Sequence, residues 1–176
     1  MSSGNERRFL YQALNDGLDS LFSTALRLVG KREIAEDLVQ ETVRKALKGV
    51  PQLRDQQKAR AWLFKILVNC ARDHLRRRRG WDELEDDIHA CDLGCDVQAI
   101  ARATAHDVRE ALGELEASRR AVIVLIDIED FTISEAADML SIPMGTAASR
   151  LARARQELRT RLRAYRPQIT EGGGKP

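Results

Sequence analysis

The sequence predicts an all-α protein of two small helical domains joined by an acidic linker. Apolar residues recur at three- and four-residue spacing nearly throughout, and no stretch alternates strictly over enough residues to argue for a sheet. A length of 176 residues suits one domain or two small ones. The near-balanced charge, 29 Lys plus Arg against 27 Asp plus Glu, averages over segments of opposite sign. Residues 60–79 hold seven basic side chains and one acid, 81–96 seven acids and no Lys or Arg, and 145–166 seven arginines with Glu157 as the lone acid. Two basic blocks around an acidic one predict two polyanion-facing surfaces with a linker between them.

The first helix is expected over about residues 6–29, weakened at Gly17 and ended by Gly30 as a C-cap. A second, about 31–48, places Ile34, Leu38, Val39, Val43, Ala46 and Leu47 on one stripe. Its exposed face reads Glu33, Glu36, Asp37, Gln40, Glu41, then Arg44, Lys45, Lys48, acids early and bases late as the helix dipole favours. After a polar loop, a third helix runs to about residue 79, with Trp62, Leu63, Ile66, Leu67, Cys70, Ala71 and Leu75 able to pack inward. Lys58, Lys65, Asn69, Arg72, Arg76 and Arg79 share its other face. The first domain is thus 1–80. Residues 81–96 have too few apolar side chains to bury and read as a loosely ordered linker.

The second domain, 97–166, opens with a stripe of Ile100, Ala103, Val108, Ala111, Leu112 and Leu115. A short helix holding Ala121, Val122, Val124, Leu125 and Ile128 breaks near Asp130. Thr132 to Glu135 has capping-box spacing, and it starts a helix to Leu140. A turn over 141–145, marked by Pro143 and Gly145, leads into a last helix from Thr146 to about Tyr165, burying Leu151, Ala154, Leu158 and Leu162. Helix, short turn, longer basic helix is the helix-turn-helix pattern. Residues 167–176 read as a disordered tail.

On the last helix Thr146, Ser149, Arg150 and Arg153 are expected to face outward into a DNA major groove, where a guanidinium forks onto guanine or phosphate. The plainer alternative is a solvated Arg-rich face. On the third helix, Asn69 is the one uncharged hydrogen-bonding side chain among Lys65, Arg72 and Arg76, and an amide can both donate to and accept from a base edge. A surface Asn beside a dipole-complementing basic turn is the alternative there. Trp62 and Phe64 are assigned to the core.

The His89, Cys91 and Cys95 cluster in the linker has only three ligands at a non-standard spacing, so no metal or other cofactor is expected. Three sparse cysteines, Cys70, Cys91 and Cys95, read as reduced thiols. There is no phosphate-cradling glycine loop, dinucleotide fingerprint or nucleophile elbow, so the chain is not expected to be an enzyme. No apolar run reaches membrane-spanning length and residues 1–8 lack an apolar signal core, predicting no membrane insertion and a cytoplasmic location.

Three segments carry a family resemblance: LVGKREIAEDLVQET (28–42), RAWLFKILVN (60–69) with DHLRRRR (73–79), and IPMGTAASRLARAR (142–155). The first two resemble region 2 of extracytoplasmic-function (group IV) bacterial sigma factors, and the third is similar to that family's region 4 helix-turn-helix. The resemblance implies a promoter-specificity subunit of RNA polymerase, partnered by core polymerase (β′ clamp and β flap), promoter DNA and an anti-sigma factor. By this analogy Asp37, Leu38, Val39, Gln40 and Glu41 help dock the β′ clamp, residues 53–61 with Asn69 hold a base flipped from the minus-ten element, and Ser149, Arg150 and Arg153 address the minus-thirty-five element. Ala148 stands where many members carry a basic residue, and the 53–59 loop is more polar than the family's usual version. Two other functions fit less well. A sigma mimic that titrates an anti-sigma factor would have little reason to keep both basic faces, and a stand-alone dimeric regulator would need a dimerisation heptad, which is not evident.

Overall fold

The computed structural model describes residues 3–49, 58–79 and 105–164, and every regular element among them is helical. The chain order is α1 (Ser3–Val29), α2 (Arg32–Gly49), α3 (Ala59–Arg79), α4 (Ala105–Glu114), α5 (Ala117–Ile123) continuing as a π-helical turn (Val124–Ile128), α6 (Ile133–Leu140) and α7 (Met144–Ala164). The polar loop before α3, the acidic linker with its His89, Cys91 and Cys95 cluster, and the C-terminal tail lie outside the described residues. No helix among the described residues is long and apolar enough to cross a membrane.

Helices α1, α2 and α3 pack pairwise, and α4, α5 and α6 each pack on α7. Gly17 does not interrupt α1. Gly30 ends it as expected, at φ +74 with its N–H donating to Leu26 O over 2.8 Å, a conformation that favours glycine. In α2 the buried stripe is Ala35, Leu38, Val39, Thr42 and Ala46. The hydroxyl of Thr42 is satisfied inside the core by donating to Leu38 O at 2.7 Å. Leu47, expected on that stripe, is 45% exposed, because it follows Ala46 by one residue and is turned about 100° off the buried line.

The turn between α6 and α7 is tighter than the sequence reading. Only Ser141 to Pro143 lie outside helix, and α7 starts at Met144, with Gly145 and Thr146 inside its first turn and Ala147 N–H donating to Pro143 O at 3.0 Å. Ser141 takes the left-handed cap position at φ 56, where Ile142 N–H reaches back to Ala137 O at 3.1 Å. Thr132 and Glu135 form the predicted capping box in both directions.

The two halves do not stand apart. Helix α3 packs along α6, and α1 meets α4 and α5, so one buried apolar cluster runs from Leu10 and Leu21 through Phe64 to Phe131 and Leu140. Phe64 meets Phe131 edge-on with ring centroids 5.0 Å apart, a pair worth about 0.5–1.5 kcal/mol beyond its buried area.

Candidate nucleic-acid interface

Side chains on an α-helix advance about 100° per residue, which divides α3 into three strips. Lys65, Asn69, Arg72 and Arg76 lie along the middle strip, as the sequence predicts. Trp62, Ile66 and Asn69 turn toward the C-terminal end of α2, where with Lys45, Lys48 and Gly49 they line an open groove of about 400 Å³. Arg60 and Phe64 turn the other way, toward the second half of the chain.

Asn69 therefore stands on the rim shared by the basic strip and the groove. Its Oδ1 accepts from Arg72 Nη2 at 3.0 Å, which fixes the amide's orientation and turns its NH₂ end away from the arginine. Lys45 donates to the buried Cys70 Sγ at 3.4 Å. Burial pulls its ammonium pKa down, but the Cys70 thiol and nearby carboxylates outweigh this and raise it, so Lys45 stays cationic. Lys65 and Arg76 are exposed, Arg76 with Asp73 at 3.9 Å. Trp62 packs against the core from its edge rather than lying fully inside it. It is half-buried on the groove wall, whereas Phe64 is 1% exposed as expected. Sequence reasoning also missed Lys45 and Lys48 as walls of the groove, having read them only as dipole-complementing bases.

On α2, Asp37 and Gln40 are exposed and point away from the core. Glu41 is held by Arg44, at 2.5 and 2.8 Å, and by Lys45 at 3.6 Å; the Arg44 hydrogen bond chiefly holds its carboxyl below the usual range. Leu38 and Val39, expected with them on a partner-facing surface, face inward and are buried.

On α7, Thr146, Ser149 and Arg153 are half-buried, and Ser149 Oγ donates to Thr146 O at 3.0 Å. Arg150 was expected to face outward and is instead 8% exposed, because it shares the inward side of the helix with Ala147, Leu151 and Ala154. Farther along, Arg155 and Arg161 are structural ties. Arg155 forks onto Asp127 at 2.6 and 2.9 Å, and Arg161 bridges Glu114 and Glu157. The one-sided charge of α7 thus belongs partly to internal ion pairs and partly to its N-terminal end. Among the described residues no cluster of three or more His, Cys, Asp or Glu could hold a metal ion.

Residues 14–80 match the Sigma-70 region 2 family and residues 105–158 match Sigma-70, region 4. The chain is 34% identical over 139 residues to the ECF RNA polymerase sigma factor EcfG of Rhodopseudomonas palustris, covering 79% of this chain and 77% of that one. It resembles the sigma factor RpoE of Bartonella quintana, solved with the anti-sigma factor NepR, at 32% identity and a TM-score of 0.67 over 89% of this chain and 98% of the other. It resembles CnrH, solved with the cytosolic domain of CnrY, at 30% identity and a TM-score of 0.67 over 93% of both chains. With both family regions present in order, a basic helix in the first and a helix-turn-helix in the second, this chain belongs to the ECF sigma factors, the promoter-directing subunits of bacterial RNA polymerase.

Proposed function

We propose that α3 and the groove beside it take the melted minus-ten strand, while the start of α7 enters the minus-thirty-five duplex. Phosphate contacts position a protein on nucleic acid and base contacts specify the sequence. Lys65, Arg72 and Arg76 serve the first role, joined by Lys45 and Lys48 across the groove. Asn69 serves the second, and Trp62 offers an unstacked base a flat apolar wall. An extruded base has lost a few kcal/mol of stacking, so the pocket must return that energy through hydrogen bonds and contact. The observation that carries this reading is the placement of Asn69 on the rim of a groove walled by two cations of α2, Lys45 and Lys48, and by Trp62 and Ile66 of α3.

The exposed acidic face of α2 at Asp37, Gln40 and Glu41 docks the β′ clamp, and the second domain meets the β flap. Thr146, Ser149 and Arg153 address the upstream element, and buried Arg150 braces the helix that carries them. The chain has no catalytic role of its own and works in the cytoplasm beside the polymerase. An anti-sigma factor holds it in check, a partner of the kind that NepR is for RpoE of Bartonella quintana.

Run-off transcription with purified core polymerase tests this. Promoter-dependent transcripts that fall when Asn69 becomes Ala, with core affinity unchanged, are expected. DNA binding without core would favour a stand-alone regulator, and anti-sigma binding with no transcript would favour a mimic.

A further inference from the structure

Glu129 comes directly after the π-helical turn, its N–H donating to Val124 O at 3.1 Å, and Asp130 after it takes a left-handed φ of 58. A π turn holds one more residue than an α turn, so the next residues are swung out of the preceding register, and such turns recur at functional sites. Here the swing carries a carboxylate into the face between the two halves. Glu129 is 6% exposed. Its side chain accepts from Ser20 Oγ at 2.5 Å and Thr24 Oγ1 at 2.6 Å on α1, and from Arg60 Nη2 at 3.2 Å on α3, with Arg27 at 3.7 Å.

All four partners belong to the other half of the chain. Arg60 in turn donates to Glu129 O at 2.8 Å and lies over the rings of Phe64 and Phe131, 4.9 and 4.3 Å from their centroids. Two further arginines cross the same boundary: Arg72 donates to Leu140 O at 3.1 Å and Arg120 to Leu28 O at 2.9 Å.

We propose that Glu129 is a latch that holds the free chain in a closed form unable to engage a promoter. The inference rests on the promoter reading above. Elements centred near minus ten and minus thirty-five lie about 25 base pairs apart, roughly 85 Å at ~3.4 Å per base pair. A compact chain of this length has a radius of gyration of only about 16 Å. Both DNA-facing helices cannot reach their elements until the halves part. The closed form also occupies Arg72, a minus-ten contact, with the last carbonyl of α6, and lays α6 along α3. The chain from Arg79 to Ala105 can span at most roughly 90 Å, so parting needs no unfolding of either half. Only interactions that differ between two states bias their equilibrium, and these side-chain bonds of Glu129 to α1 and α3 exist in the closed form alone.

Small-angle X-ray scattering on the full chain, with circular dichroism to follow helix content, tests the latch without polymerase. Wild type should scatter as a compact particle. Glu129→Lys faces Arg27 and Arg60 with a like charge, and Arg60→Glu faces Glu129 with one. Each should raise the radius of gyration well above about 16 Å, short of the roughly 44 Å of an unfolded chain, with helix content kept. The double variant, Arg60→Glu with Glu129→Lys, restores the pair and should return toward the wild-type profile. An extended wild type, single variants as compact as wild type, loss of helix in both, or a double variant no more compact than the singles would each overturn the latch. A latch that behaves as expected in a chain yielding no promoter-dependent transcript would stand, and the promoter reading would fall separately.

Discussion

Asn69 and Arg72 are three residues apart on α3 and hydrogen-bonded to each other, yet their substitution should separate two kinds of binding energy. Asn69→Ala removes the one amide on the strip and should impair open-complex formation at the cognate promoter, with core affinity and salt dependence nearly unchanged. Arg72→Ala should lower the slope of log affinity against log salt by about one unit without altering base preference, as loss of one phosphate contact does. Wild-type transcription from Asn69→Ala, with equal sensitivity of both proteins to single minus-ten substitutions, would reduce Asn69 to a solvated helix residue. Arg153→Ala should cost about 1–3 kcal/mol at a matched upstream element if the arginine is bidentate to a base. An even loss on matched and scrambled elements would make it a phosphate contact, and no loss on either would remove it from the interface.

At the scale of the element, α6 depends on its cap. Thr132 Oγ1 accepts from Glu135 N–H at 3.2 Å while Glu135 accepts from Thr132 N–H at 2.9 Å, so two backbone donors of an eight-residue helix are satisfied reciprocally. Thr132→Ala should destabilise the fold by about 1 kcal/mol in urea titration and loosen the presentation of α7. An unchanged midpoint would mean that packing alone holds the helix. Helix α2 makes a different prediction, because its docking residues are exposed and its core residues are not. Asp37→Lys and Gln40→Ala should leave thermal stability unchanged and weaken core-polymerase binding by about 1–3 kcal/mol if they are central to the interface. Unaltered affinity of both variants in competition would move the docking surface elsewhere.

For the whole molecule, acid sensitivity follows from carboxylates whose interactions are native. Burial pushes the Glu157 carboxyl up, but hydrogen bonds from Arg161 and Arg119 outweigh it and hold the group below its ordinary value. Glu135 is likewise held low, chiefly by the Thr132 N–H and then by its hydroxyl. A depressed folded pKa contributes stability that is fully present above the unfolded value and lost as pH falls through the folded one. The urea midpoint should therefore decline below the ordinary carboxylate range, and Glu157→Gln should decline less steeply there. Identical acid profiles for the two proteins would show that Glu157 contributes nothing to the dependence.

The helices, the cap at Gly30, the capping box at Thr132 and the two basic blocks were legible before folding, because each depends on spacing within a few residues of one segment. The sequence placed Lys65, Asn69, Arg72 and Arg76 on one strip for the same reason, since α-helical periodicity is local. That Lys45, Lys48 and Trp62 wall the groove beside Asn69 has no local sign, since it needs the crossing of α2 with α3. Arg150 was misread because its burial depends on what α7 packs against, and an arginine offers no local sign of turning inward. The turn at Val124–Ile128 and the seat of Glu129 were illegible too. A π turn has no composition of its own, and Glu129 finds Thr24 and Arg60 across 105 and 69 residues of chain, a pairing that exists only once the two halves meet.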